Sequence, residues 1–165
     1  MNLVRCGANP RHLTKRGVPI MIVRNILKAK PSYEVATTTV DATIADIAHT
    51  LHNKRIGALV VSDQAGQIVG IISERDIVRG LAMHGPGVAG LKVRDLMTSA
   101  VLVCNPEDSV EKLMGIMTNR RIRHLPVVEN GKLAGIITIG DVVKSRLEAA
   151  AMEVESMRDY VMAAR

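Results

Sequence analysis

Phenylalanine and tryptophan are missing from this chain of 165 residues, and its only aromatics are Tyr33 and Tyr160. Nucleic-acid binding modes that stack bases on aromatic platforms lose their main contact. The core must be built from Val, Ile, Leu, Met and Ala. Cysteine is scarce too: Cys6 and Cys104 stand far apart, with no CxxC or other metal or redox spacing. That usage suits a reducing cytoplasm. No apolar run exceeds a few residues, Ala58-Leu59-Val60-Val61 being typical. A membrane-spanning helix needs about 20, and nothing near the start has the length of a secretory h-region. The expectation is a cytoplasmic protein with no membrane span.

What is present points to a folded chain. Apolar residues make up 47% and charged residues 23%, the globular range. The net charge of +6 is unevenly spread. Residues 1–33 carry seven cations (Arg5, Arg11, Lys15, Arg16, Arg24, Lys28 and Lys30) and no acid, whereas residues 34–165 carry 15 basic against 16 acidic residues. The body is near neutral and the basic character belongs to one end. A solvated arm is the plainest reading of that end. A nucleic-acid or anionic-surface contact and an organelle transit peptide are the alternatives.

The body repeats itself. Ile44-Ala45-Asp46-Ile47-Ala48 aligns with Val110-Glu111-Lys112-Leu113-Met114, and Asn53-Lys54-Arg55-Ile56 with Asn119-Arg120-Arg121-Ile122, at an offset of 66 residues. After the next turn the offset is 65, and Gly70-Ile71-Ile72-Ser73-Glu74-Arg75-Asp76 meets Gly135-Ile136-Ile137-Thr138-Ile139-Gly140-Asp141. Upstream, Val23-Arg24-Asn25-Ile26-Leu27 matches Val93-Arg94-Asp95-Leu96-Met97. Each copy predicts an amphipathic helix, a strand hairpin and a second helix. In the second copy Asn130-Gly131 is a strong hairpin signal. The chain divides into a basic arm (1–19), a first repeat (20–83), a Gly-Pro-Gly linker (84–90), a second repeat (91–145) and a helical extension (146–165). One copy buries too little surface to be stable alone. Two copies packed about a pseudo-two-fold axis share a core and leave two equivalent clefts.

Where each hairpin gives way to a helix stands Gly-Ile-Ile-(Ser/Thr)-x-x-Asp. Ser73/Asp76 and Thr138/Asp141 have the spacing of a capping box. Three details favour a ligand as well. The acid is Asp in both copies, where Glu or Gln is usual. Gly70 and Gly135 lie inside strands, where glycine marks close backbone approach. Gly140 sits in a first helical turn, where it disfavours helix and leaves space. A carboxylate there can accept hydrogen bonds from both hydroxyls of a ribose, and the cap hydroxyl with the first-turn N–H groups suits a phosphate.

On these residues, with Arg121-Ile122-Arg123-His124-Leu125-Pro126-Val127-Val128 in the second copy, the chain resembles a tandem pair of cystathionine-β-synthase (CBS) domains, a Bateman module. The match spans roughly residues 20–145. It implies an α/β (α+β) fold: two repeats, each a small, mostly antiparallel sheet with two helices, related by a pseudo-two-fold axis. It also implies an adenosine-nucleotide ligand, with AMP as first choice and ATP, ADP, NAD(H) or S-adenosylmethionine as alternatives. By position, Asp76 and Asp141 hold ribose hydroxyls, Ser73 and Thr138 meet ribose or phosphate, and Arg123, His124 and Arg75 face phosphate. The first copy departs from the pattern, since Gly57-Ala58 stands where the second has Arg123-His124. That leaves Arg75 to supply the missing cation. Adenine packs near Val23–Leu27 and Val93–Met97.

Little else points to chemistry. His49 and His52 lie three apart on one predicted helix, after Asp46, without a thiolate or a general base, so no metal site is expected. Cys104 reads as a buried thiol. No paired acid and base, and no activated nucleophile, suggests an enzyme. From Asp141 to Ala164 the chain has no Gly or Pro, enough for a helix of about 36 Å. Val143, Leu147, Ala150, Val154, Met157 and Val161 follow a 4-3-4-3-4 spacing, a heptad seam that favours a homodimer. The expectation is a non-catalytic regulator that signals energy or redox state to an unknown protein partner in trans. The alternatives are a basic-armed nucleic-acid-binding dimer and a constitutive scaffold with vestigial sites.

Overall fold

The computed structural model describes residues 3–5, 21–30 and 34–163. Cys6, Arg11, Lys15, Arg16 and Tyr33 lie outside them, and most of the basic arm with them. The elements run β1 (Val4–Arg5), α1 (Val23–Ala29), β2 (Thr37–Thr38), α2 (Ile44–Lys54), β3 (Ala58–Ser62), β4 (Ile68–Ser73) and α3 (Glu74–His84). A 3-10 turn (Gly85–Gly90) then leads to α4 (Val93–Leu96), β5 (Leu102–Val103), α5 (Val110–Arg120), β6 (His124–Glu129), β7 (Lys132–Thr138) and α6 (Ile139–Ala163).

The periodicity of each copy becomes the expected structure. Ile44, Ile47 and Leu51 are the buried stripe of α2, and Val110, Leu113 and Met117 that of α5. Both helices end on an arginine in the left-handed conformation, Arg55 and Arg121, each at φ 53°. Two antiparallel hairpins follow, β3 with β4 and β6 with β7. Asn130 and Gly131 both take positive φ (50° and 79°), as a two-residue type I′ turn requires. β2 adds to β3 in parallel. Both hairpins carry a register shift at the matching place, between Val61 and Ser62 and between Val127 and Val128.

The leading segments cross over. α1 precedes the first repeat in sequence, yet Val23, Ile26 and Leu27 pack with Leu113, Met117, Leu125 and Ile137 of the second. α4 precedes the second repeat, yet Val93 and Leu96 pack with Ile47, Leu51, Leu59 and Ile72 of the first. Backbone bonds tie both exchanges down: Val23 N–H donates to Asp108 O (2.9 Å) and Val93 N–H to Ala42 O (3.0 Å). The glycines in the strands seat these segments. A Cβ on Gly70 would lie 2.6 Å from Met97 Sδ, and one on Gly135 would lie 2.6 Å from Leu27 Cδ2. Their close approach is therefore to the protein's own side chains.

A third core joins the two halves, with Val60 and Ile68 of one hairpin, Val128 of the other, and Val101 and Val103 between them. β1 pairs in parallel with β5, and Leu3 packs on this shared core, so the start of the basic arm is docked on the body. The Gly-Pro-Gly stretch is more than a connector, because Val88 within it is buried in the first core. Cys104 is fully buried, its thiol 3.7 Å from the Pro126 carbonyl oxygen. Along α6, Val142 and Ser145 face the body, while Leu147, Val154 and Met157 of the seam are 66%, 50% and 63% exposed. No helix among the described residues is long and apolar enough to cross a membrane.

Candidate functional site

Two clefts open between the repeats. The first, about 300 Å³, is walled by the β4–α3 junction from Ser73 to Arg79, by Thr98–Leu102, and by Arg120–His124 of the other repeat. The second, about 410 Å³, is walled by Gly135, Ile136 and Thr138 of β7, by Leu27 and Lys30, by residues 34–36, and by Lys54–Ala58. Both volumes lie at the small-ligand end of binding pockets. Gly57 and His124 line both clefts. His124 is the shared wall, its ring so close over Gly57 that a Cβ there would lie 3.0 Å from Nε2.

At the floor of the first cleft Asp76 is 6% exposed. One carboxylate oxygen accepts from Ser73 N–H (2.9 Å) and Ser73 Oγ (2.7 Å), and the other from Arg79 Nη2 (2.9 Å). Arg79 also donates to the carbonyl of Leu96 (3.3 Å). Beside the second cleft Asp141 Oδ2 accepts from Thr138 N–H (2.7 Å) and Thr138 Oγ1 (2.8 Å), and it pairs with Lys30 Nζ (2.7 Å). Lys30 donates also to Ile136 O (2.9 Å). Partial burial pushes the Asp141 carboxyl up, but the Lys30 and Thr138 bonds outweigh it and hold the group below its usual range. Burial is also the leading influence on His124 and lowers it, outweighing the upward pull of Glu74.

Each of the two carboxylates is thus held twice: fixed by its own helix cap, then neutralised by one cation. The cation comes from different places. Arg79 is one helical turn along from Asp76, whereas Lys30 arrives on the exchanged α1 segment. Spacing at i, i+3 could have pointed to Arg79. Lys30 could be found only by recognising the crossover.

An internal comparison limits what the box itself signifies. Thr43 and Asp46 form the same box at the start of α2, with Thr43 Oγ1 donating to Asp46 Oδ2 (2.6 Å). Asp46 is exposed and lines neither cleft. Aspartate is therefore an ordinary capping partner in this chain, and its use in place of Glu says nothing about a ligand. Gly70 and Gly135 lose their weight as ligand signals for the reason given above. Gly140 keeps its weight, since a Cβ there would meet only Thr138 Oγ1, at 3.6 Å.

Ser73, Arg75, Asp76, Arg123 and His124 come together in the first cleft. Thr138 and His124 line the second, with Asp141 held behind Lys30. The expected shortage of cations is reversed. Arg123 belongs to the second repeat but lines the Asp76 cleft, beside Arg75. Arg120 and Arg121, which spacing did not single out, join them there. Arg75 also reaches across, its Nη1 donating to the backbone oxygen of Arg121 (2.7 Å). Gly140 occupies the equivalent place in the second repeat and can make no such bond.

The profile of the CBS domain matches residues 23–83 and 93–148. A CBS domain-containing protein of Arabidopsis thaliana, named as mitochondrial, is 30% identical over 162 residues, covering 94% of this chain and 79% of that protein. Among solved structures, a CBS-domain containing protein from Agrobacterium tumefaciens is 44% identical, with a TM-score of 0.74 over 76% of this chain and 99% of that one. A CBS domain pair crystallised with 5′-methylthioadenosine and S-adenosyl-L-methionine is 28% identical, with a TM-score of 0.67 over 81% and 99%.

Proposed function

Since the chain belongs to the CBS domain family and carries two copies of the domain in tandem, we propose that it is a non-catalytic regulatory pair whose clefts bind adenine nucleosides or nucleotides. The observation that carries this reading is the repeated carboxylate, Asp76 lining one cleft and Asp141 beside the other, paired with its Lys30. Each sits at a strand-to-helix junction with a hydroxyl and a backbone N–H already fixed on one oxygen. In this reading both acids receive the hydroxyls of a ribose, and Ser73, Thr138, Arg75, Arg123 and His124 face the phosphate side. The adenine-containing ligands of the solved pair support the ligand class.

AMP, ADP, ATP and NAD(H) are the candidate signals, so the output is the energy or redox state of the cell. A ligand that bridges two repeats favours one relative arrangement, by no more than its differential affinity for the two states. The listener is a protein in trans, met in the cytoplasm. The exposed seam of α6, with Val78, Leu81 and Met83 exposed on α3, supports self-association as a dimer.

Isothermal titration of protein first shown to be free of carried-over ligand tests this. AMP, ATP, NAD(H) and S-adenosylmethionine are titrated into the wild type, Asp76→Asn and Asp141→Asn. The expected result is saturable binding of at least one ligand, weakened at least tenfold by one of the substitutions. If nothing binds, or neither substitution matters, the two acids are helix caps only.

A further inference from the structure

The two clefts share a blueprint and differ in charge. Five arginines line the Asp76 cleft: Arg75, Arg79, Arg120, Arg121 and Arg123. Among the described residues that line the cleft, only Glu74 and Asp76 oppose them. Arg79 is committed to Asp76. Arg75, Arg120, Arg121 and Arg123 form no ion pair with a carboxylate among the described residues. The Asp141 cleft holds Lys30, Lys54 and Arg55 against Glu34 and the adjoining Asp141. Its innermost cation, Lys30, is committed to Asp141 and Ile136 O.

Like charges gathered around a concave surface repel one another and concentrate potential for an anion. Guanidinium groups match phosphate oxygens with two parallel N–H bonds, which ammonium groups do not. Arg121 also occupies the left-handed region at φ 53°, where glycine or asparagine is less costly. Its carbonyl is held there by Arg75 from the opposite repeat. Arg75 therefore bridges the two repeats at the mouth of this cleft; in the other cleft Lys54 and Arg55 stand where Arg120 and Arg121 do, but Gly140 and Gly57 replace Arg75 and Arg123.

We infer that the clefts divide ligands by phosphate number: the Asp76 cleft takes the polyphosphate tail of a nucleoside di- or triphosphate along Arg75, Arg120, Arg121 and Arg123, while the Asp141 cleft takes a nucleoside or its monophosphate. This rests on the nucleotide reading above and goes beyond it in assigning a ligand class to each cleft. Arg120 and Arg121 are thereby specificity-determining residues.

The test uses the full chain and titration with adenosine, AMP, ADP, ATP and inorganic tripolyphosphate, at low and physiological salt. Asp141→Asn isolates the first cleft and Asp76→Asn the second. Arg120→Gln with Arg121→Asn removes charge from exposed positions, and asparagine tolerates the left-handed backbone. In Asp141→Asn, each phosphate added from AMP to ATP should tighten binding about tenfold, the fold-change of one further charge-assisted hydrogen bond. Salt should erode that gain, and the double arginine variant should abolish it. In Asp76→Asn, added phosphates should bring no gain. An equal gain in both clefts, or none in the first, overturns the proposal and leaves the nucleotide reading standing. Tripolyphosphate bound through the arginines with no adenosine compound bound would instead retain the anion site and sink the nucleotide reading. If neither binds, both fail.

Discussion

The two repeats agree where side chains hold the scaffold, even at the cleft edge, and disagree at other positions that face the clefts. Gly70 and Gly135 both seat an exchanged side chain, Ser73 and Thr138 both cap a helix, and Arg55 and Arg121 both close one in the left-handed region. At the cleft surface the pairs are Glu74 with Ile139, Arg75 with Gly140, Gly57 with Arg123, and Ala58 with His124. Packing constrains the two glycines, whose places are filled by exchanged side chains, and helix ends constrain the rest, as N-terminal caps or left-handed C-termini. In the second set Glu74, Arg75 and Arg123 are solvent-facing, so two sites of common geometry differ in charge there. Symmetry in a doubled fold is thus a statement about its core and says little about its ligands.

The largest expected effects test whether the halves are equal partners in stability. Leu59→Ala and Leu125→Ala each empty a fully buried site and should cost about 2–5 kcal/mol, read from urea unfolding. Because Val60, Val101 and Val128 form one shared core, both should shift a single transition. Two separate transitions would show that the repeats unfold independently.

Next come the strand glycines. Gly135→Ala drives a methyl against branched Leu27, and Gly70→Ala drives one against flexible Met97. Overpacking typically costs about 1–3 kcal/mol, and the Gly135 variant should cost more because leucine has fewer ways to yield. Pairing Gly135→Ala with Leu27→Ala should recover part of the overpacking loss. Additive losses would mean that the clash is not the cause.

The pH dependence probes His124, which only the second repeat supplies. Its pKa in the folded protein is lowered by burial from 6.5, so below pH 6.5 the unfolded chain binds the extra proton first. Stability should therefore fall as pH drops from 7.5 towards 5.5, and His124→Gln should flatten that slope. An unchanged slope would place the titrating group elsewhere. The smallest effect is expected at the caps. Thr43→Ala should cost about 1 kcal/mol and leave ligand titrations unaltered. Ser73→Ala should have a similar cost in stability and also weaken binding in the Asp76 cleft.

Much of this was legible from residues alone. The offset of 66 residues, the apolar stripes of α2 and α5, and the Asn130-Gly131 turn all rest on local periodicity or turn chemistry. The crossover of α1 and α4 was not legible, because Val23-Ile26-Leu27 and Val93-Leu96-Met97 are chemically interchangeable and either segment could cover either core. β1 escaped notice because two residues cannot establish a period. The cleft assignment of Arg123 also depended on three dimensions, since a residue at the mouth between two repeats can serve either one. Lys30 stands out in the sequence only as one of the seven cations of residues 1–33, and it is the counter-ion of Asp141.

The crossover has a consequence for how such a chain can be cut. A break between the repeats at residues 85–90 would hand the first fragment α1, which has no core to cover there, and deny it α4, which its own core requires. The second fragment would carry the opposite mismatch. Each piece would contain a surplus part and a vacancy, and mixing the two would restore both at once. The smallest portion that can be excised, duplicated or fused to another protein is therefore the pair, and it must start early enough in the chain to include Met21–Lys30.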